Sequence, residues 1–81
     1  MGEFLIQSPF ADGDEMVLQG IVQSGTVYIG TRLKLIGVEA AVISIEQFNK
    51  KISSASQGMN VGLRIKRVKD AEHLSDKIVE F

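Results

Sequence analysis

Short runs of alternating apolar and polar residues, most of them interrupted or ended by glycine, restrict the fold more than any other feature of the sequence. The alternation is clearest over residues 60–66, where Val61, Leu63 and Ile65 face one side and Arg64 and Lys66 face the other. A period of two residues is that of a half-buried β-strand. The chain is therefore expected to be built from strands.

Further strands are expected between glycine-containing turns. Runs that read as strands cover residues 16–22, 27–29, 32–35 and 41–45. Gly20 inside the first run indicates a bulge or a close approach of two backbones. Gly25 supplies a hairpin turn that makes 27–29 the return strand, and Ile43 and Ile45 are expected on one face. Short strands at this spacing predict a closed barrel or a sandwich.

Two segments also fit a helix. Their apolar residues have helical spacing: Ile45, Phe48 and Ile52 after a capping-box pattern at 44–47, and Leu74, Ile78 and Phe81 after Asp70. Helices at both places would give an α+β domain. The residue pattern by itself leaves strand and helix open for these segments.

Length and composition indicate one small intracellular domain. The 81 residues, 44% of them hydrophobic, suffice for a single core over residues 1–81. The absence of cysteine excludes disulfides and thiolate metal sites. No apolar run approaches the roughly 20 residues of a membrane helix, and no secretory signal is recognisable. We therefore expect a cytoplasmic protein without a membrane partner.

The charges are segregated along the chain although the net charge is only −1. Residues 1–31 contain four acids and no lysine or arginine, whereas residues 47–69 contain six bases and no acid. These bases are the predicted nucleic-acid-binding residues: Lys50, Lys51, Arg64, Lys66, Arg67 and Lys69. A solvated surface without a ligand is the alternative interpretation. Few aromatic side chains are available to stack on bases, and Phe48 is expected in the core.

No catalytic or metal-binding constellation is recognisable. Asp12, Asp14 and Glu15 lack the further carboxylate that a calcium loop requires. His73, the one histidine, has no nucleophile in a recognisable motif and is expected at the surface. We therefore expect a chain with no enzyme activity and no cofactor.

Three segments resemble the second domain of translational GTPases such as elongation factor Tu. Within the run 20–35, residues 20–33 follow the pattern G-x-V-x-x-G-x-[IVL]-x-x-G-x-x-[IVL]. Residues 44–48 follow the pattern S-[IV]-E-x-[FH], and within the run 55–63, residues 55–62 follow the pattern A-x-x-G-x-N-V-G. The resemblance implies a closed antiparallel β-barrel of six or seven strands. It also implies a strand at 42–48 and a last strand near Ile78 and Val79.

The same resemblance implies a function in binding. In that family the barrel contacts the 3′ acceptor end of aminoacyl-tRNA or ribosomal RNA, and Glu46 and Asn60 match residues of the acceptor-end pocket. Asn49 and the acidic loop at 13–15 stand where the family has basic or neutral residues. No G-x-x-x-x-G-K-[ST] loop is present, so no nucleotide is expected. The predicted partner is tRNA or ribosomal RNA; the alternative is a protein partner, such as a GTPase domain in trans or a second copy.

Overall fold

The computed structural model describes residues 1–69 and 71–81, and these residues form ten strands and one short helix. The strands are β1 (Glu3–Asp12), β2 (Glu15–Ser24), β3 (Thr26–Tyr28), β4 (Arg32–Leu35), β5 (Val38–Ala41), β6 (Ser44–Gln47), β7 (Lys50–Ile52), β8 (Ser54–Ser56), β9 (Asn60–Lys66) and β10 (Lys77–Glu80). A single 3₁₀ turn, Ala71–Leu74, precedes β10. None of the described helical residues forms a segment long and apolar enough to span a membrane.

Eight strands form one antiparallel sheet in the order β5-β4-β10-β1-β2-β9-β6-β7, and β3 pairs with β8 in a separate ribbon. The large sheet curls into a half-barrel. A hydrogen bond of 2.7 Å from Ile43 N to Arg64 O brings the chain after β5 back against β9. The predicted all-β antiparallel fold is confirmed. Its strands are divided into more segments than the six or seven expected, because several break at tight turns.

One layer of aliphatic side chains fills the inside of the curled sheet. On β9 the residues Val61, Leu63 and Ile65 are fully buried while Lys66 is exposed, as the alternation predicted. The core comprises Phe4, Ile6, Met16, Leu18, Val22, Val27, Leu33, Leu35, Ala40, Val42, Ile45, Ala55, Val61, Leu63, Ile65, Leu74 and Val79. Burial of this apolar surface is the main stabilising contribution in so small a domain.

The predicted close approach at Gly20 is confirmed. Strand β2 pairs with β1 through Ile6↔Gly20, and the register shifts between Ile6 and Ser8. A β-carbon on residue 20 would lie 1.9 Å from the carbonyl oxygen of Leu5 and 3.0 Å from Cζ of Phe4. Only glycine allows the two strands to approach this closely while the sheet bends.

The predicted hairpin between residues 16–22 and 27–29 is wrong. Gly25 does adopt a positive φ of 78°. However, β3 leaves the large sheet and pairs with β8 through Val27↔Ala55, while β2 is already paired on both sides, with β1 and β9. The turn at Gly25 therefore redirects the chain and does not return it along β2.

The single strand expected over residues 41–45 is divided, and Ile43 and Ile45 do not share a face. Ile43 is 44% exposed and Ile45 is fully buried. The chain changes partners here: β5 pairs with β4, whereas Ile45 pairs with Leu63 of β9.

Both helix alternatives are decided in favour of strands. The first segment forms β6 and β7, and the second forms the 3₁₀ turn Ala71–Leu74 followed by β10. The resemblance implied a strand in the first segment and a last strand near Ile78 and Val79. The proposed cap Asp70 lies outside the described residues. His73 is exposed, as expected.

We expect Gly20→Ala to destabilise the domain by about 3 kcal/mol or more, since a β-carbon would overlap backbone that cannot move without opening the β1–β2 ladder. The free energy of unfolding measured by urea titration tests this. Ala41→Ser, at an exposed strand position, is the control and should stay within about 0.5 kcal/mol of the parent. Equal stabilities of the two variants would contradict the close approach.

Candidate nucleic-acid interface

A shallow depression lies on the outer face of strands β2, β9 and β6. A cross-strand row runs Gln19↔Gly62↔Glu46↔Lys51, and paired residues of antiparallel strands project to the same face. Gly62 contributes no side chain to the row. A β-carbon there would lie 2.9 Å from Cγ1 of Val17 and 3.1 Å from Oε1 of Gln19. Glycine at residue 62 therefore lets the side chains of Val17 and Gln19 pack over β9.

Polar residues surround this depression, which has a volume of about 440 Å³. We call it the polar depression; it is lined by Val17, Gln19, Glu46, Gln47, Phe48, Asn49, Asn60 and Gly62. The two residues that the resemblance assigned to an acceptor-end pocket, Glu46 and Asn60, thus lie in one site. Their assignment to an RNA end stays a prediction.

Hydrogen bonds among amides hold Asn60 in place. Gln19 Nε2 donates to Asn60 Oδ1 over 2.7 Å, and Asn60 Nδ2 donates to Gln7 Oε1 over 3.5 Å. Gln47 Nε2 donates to the Asn60 carbonyl over 3.3 Å. These neutral groups fix the lining and leave hydrogen-bonding capacity at the amide oxygens of Gln19 and Gln47.

Phe48 is at the rim of the polar depression with 88% of its surface exposed, so the expectation that it lies in the core is wrong. Gln47 pairs with Lys50, which leaves Phe48 and Asn49 as a two-residue turn with φ of 53° and 63°. Positive φ at both positions defines a type I′ turn. A bulky residue rarely adopts this conformation, at a cost of about 1–2 kcal/mol. The turn places the Phe48 ring in solvent.

Arg64 is bound by three carboxylates beside the polar depression. Its Nη1 is 2.9 Å from Asp12 Oδ2 and 3.2 Å from Glu15 Oε1, and its Nη2 is 3.5 Å from Glu46 Oε1. The hydrogen bond to Asp12 raises the pKa of the Arg64 guanidinium; partial burial opposes it, and Glu15 and Glu46 reinforce it. Arg64 therefore keeps its charge and links β1, β2, β9 and β6.

The six bases predicted to bind nucleic acid lie on β7, on β9 and in the segment after β9. Lys50 and Lys51 are exposed on β7, next to the polar depression. Lys66, Arg67 and Lys69 are exposed at and beyond the end of β9. In this second group, Arg67 N donates to Asp14 O over 2.9 Å and its Nη1 to Gly13 O over 3.4 Å. Among the six, Arg64 is the one whose charged group the structure shows in ion pairs.

The acidic residues do not form a metal centre within the described part of the chain, where no group of three metal-ligating side chains is found. The carboxylates of Asp12 and Glu15 are turned towards Arg64 instead.

A second concavity, the apolar basin, has a volume of about 520 Å³ and lies between the β4–β5 hairpin and the segment after β9. It is lined by Leu35, Ile36, Val38, Arg67, Val68, Lys69, His73 and Leu74. Ile36 is 76% exposed and Val38 is 48% exposed. Contiguous apolar patches rimmed by polar residues mark contacts with other molecules, whereas single exposed apolar side chains are ordinary.

The curled antiparallel sheet is an elongation factor Tu domain 2-like barrel, the fold of a translation-factor barrel domain. Two crystal structures of translation elongation factor SelB from Methanococcus maripaludis are similar to it. The apo form aligns with a TM-score of 0.80 and 26% identity over 96% of this chain and 18% of SelB. The complex with the GTP analogue GppNHp aligns with a TM-score of 0.79 and 26% identity over 95% of this chain and 18% of SelB. The chain thus spans less than a fifth of that factor, and no protein-family model matches the sequence.

We expect Arg64→Gln to lower the urea midpoint of unfolding, because three carboxylates would then face each other without their shared cation. Adding Asp12→Asn should recover part of the loss, and a double-mutant cycle measures this coupling. Lys66→Gln, on the same face of β9, is the control and should shift the midpoint less. Additive effects of the Arg64 and Asp12 changes would show that the ion pair contributes nothing to stability.

Proposed function

We propose that the chain is a non-catalytic, translation-related module of the cytoplasm that binds an unpaired RNA end, such as the acceptor end of a tRNA, in the polar depression. The exposed ring of Phe48 carries this proposal. A phenylalanine held in solvent at an energetic cost, beside a polar concavity, suits a platform on which a base stacks. The similarity to a translation elongation factor over 96% of the chain supports the translation context.

The lining of the polar depression suits a ribose and the edge of a base. Glu46 and the amide oxygens of Gln19 and Gln47 are acceptors for ribose hydroxyls and exocyclic amines. The side chains of Val17 and Gln19 cover Gly62, so a flat group in the depression would contact these side chains. The hydrogen bonds around Asn60 hold the side chains of Gln19 and Gln47 before the ligand arrives, which lowers the entropy cost of binding.

Besides Arg64, which pairs with Glu46, the cations next to this site are those of the β6–β7 hairpin. Lys50 and Lys51 follow the Phe48 turn directly and are exposed. Phosphates on either side of a stacked nucleotide would meet these lysines first, while Lys66, Arg67 and Lys69 would contact RNA further along. The expected interface is thus centred on the hairpin, not on Arg64.

Phe48→Ala should weaken binding of a labelled single-stranded RNA with the sequence of a tRNA 3′ end by between about fivefold and a hundredfold, the effect of losing one stacked base. Fluorescence anisotropy measures the dissociation constant. Tyr28→Ala, which removes an aromatic ring that is 58% exposed elsewhere, is the matched control and should leave the affinity unchanged. Unchanged affinity of the Phe48 variant would rule out the stacking platform.

The apolar basin favours a second candidate function, docking of a protein. Apolar side chains line the floor, and Arg67, Lys69 and His73 are also in its lining. Charge complementarity selects a polypeptide segment with apolar anchors flanked by acidic residues, as on a GTPase domain acting in trans. A second copy of the chain is the other occupant to be tested.

We expect a peptide of leucine and glutamate residues to shift the amide NMR signals of Ile36, Val38 and Val68, and Ile36→Glu to abolish the shifts, since a carboxylate would be added where the acidic peptide docks. Val17→Glu is the control, because Val17 lies at the polar depression. Shifts confined to the polar depression would exclude the basin as the docking site. Salt-insensitive, concentration-dependent sedimentation that Ile36→Glu abolishes would assign the basin to a second copy.

A further inference from the structure

Arg64 carries the positive charge that could bind a phosphate, but carboxylates of the same chain already pair with it. We infer that Asp12 and Glu15 act as intramolecular competitors of RNA phosphate for Arg64 and thereby set the RNA affinity of the polar depression. This inference rests on the proposed RNA binding and describes how the affinity of that same site is regulated.

The position of Arg64 gives it access to a ligand in the polar depression. It follows Gly62 by two residues on the same face of β9, a distance of about 7 Å along a strand. Its cross-strand neighbour Val17 lines the depression, and its third ion-pair partner, Glu46, does so as well. A phosphate next to a nucleotide bound in the polar depression, beside Val17 and Glu46, would therefore approach the guanidinium.

The competing carboxylates are held in place by the β1–β2 hairpin. Asp12 and Glu15 pair with each other across its turn, and Arg67 N fixes the turn by donating to Asp14 O over 2.9 Å. Groups positioned in this way compete at a high effective concentration, since little freedom is lost when they contact Arg64. The contact with Arg64 thus precedes any encounter with RNA.

Solvent exposure makes the contact displaceable. The side chain of Asp12 is 67% exposed and that of Glu15 is 40% exposed. Salt screens such exposed carboxylates, although the side chain of Arg64 is only 22% exposed, so the ion pairs are screened less than pairs between two exposed groups. A polyanion can therefore replace the hairpin carboxylates at Arg64, and the balance between them determines how strongly Arg64 contributes to RNA binding.

The same hairpin supplies a matched control for net charge. Asp14 is exposed in the turn, and Arg64 pairs with Asp12, Glu15 and Glu46 but not with it. Glu3 is an exposed acid at the start of β1. Asp14→Asn with Glu3→Gln therefore removes the same charge as Asp12→Asn with Glu15→Gln, without releasing Arg64.

The test compares these two double variants in binding the labelled single-stranded RNA over a range of salt concentrations. Asp12→Asn/Glu15→Gln should bind more tightly than the matched variant by about twofold to fivefold. Its salt dependence should steepen by about 0.7, the value for one added phosphate contact on a single strand. Adding Arg64→Gln to both double variants should abolish the difference in affinity and the difference in salt dependence between them. Equal behaviour of the two double variants, or a gain that survives Arg64→Gln, would overturn the inference.

A second measurement separates this inference from the proposed function. The side-chain Nε–Hε NMR signal of Arg64 is followed while inorganic pyrophosphate is added to the parent and to Asp12→Asn/Glu15→Gln. A response in the variant that far exceeds that of the parent supports the competition even if the parent binds no RNA at all. Equal responses would refute the competition, whether or not RNA binds at Phe48.

Discussion

The pairing of β2 on both of its sides is the constraint on which the rest of the structure depends. Its ladder with β1 includes Gly20, where the two backbones approach too closely for any side chain. On one side of β2 the sheet continues with β1, β10 and β4, and on the other side it continues with β9, β6 and β7. The register set at β2 also aligns Gln19 with Gly62, and both residues line the polar depression. The packing of the interior and the position of the outer site thus both depend on the pairing of β2.

Local residue patterns predicted the strands well where alternation was strong, but not their partners. Residues 60–66 alternate because one face is core, and the structure has β9 there. The partner of β3 was predicted wrongly because β8 lies far along the chain, and the hydropathy pattern of a strand does not indicate which distant strand it pairs with. Strand β1 was not predicted at all: Pro9 and a mixture of apolar and polar residues at 7–10 obscure its period. Pairing is a property of the whole sheet, and the resemblance to a known fold implied an antiparallel barrel without naming the strand partners.

The candidate site shows a similar division. Glu46 and Asn60 were found through the resemblance, whereas the exposure of Phe48 was missed because its spacing from Ile45 and Ile52 imitates a helix. The decisive feature, a two-residue turn between Gln47 and Lys50, follows from strand pairing. The clustering of bases in the sequence likewise hid the fate of Arg64, since its partners Asp12 and Glu15 come from the other end of the chain. Charge counts along a sequence say little about which charges remain available in space.

The hydrogen bonds between residues 2 and 81 have a mechanical consequence. Gly2 N donates to Phe81 O and Phe81 N to Gly2 O, each over 3.0 Å, and Glu3 pairs with Glu80 in the adjoining ladder. Because these strands are antiparallel, the two ends lie side by side, and a force pulling them apart acts along the hydrogen bonds and not along the strands. The bonds would then break one after another, as in a zipper. Traction on the ends would peel β10 from β1 at low force.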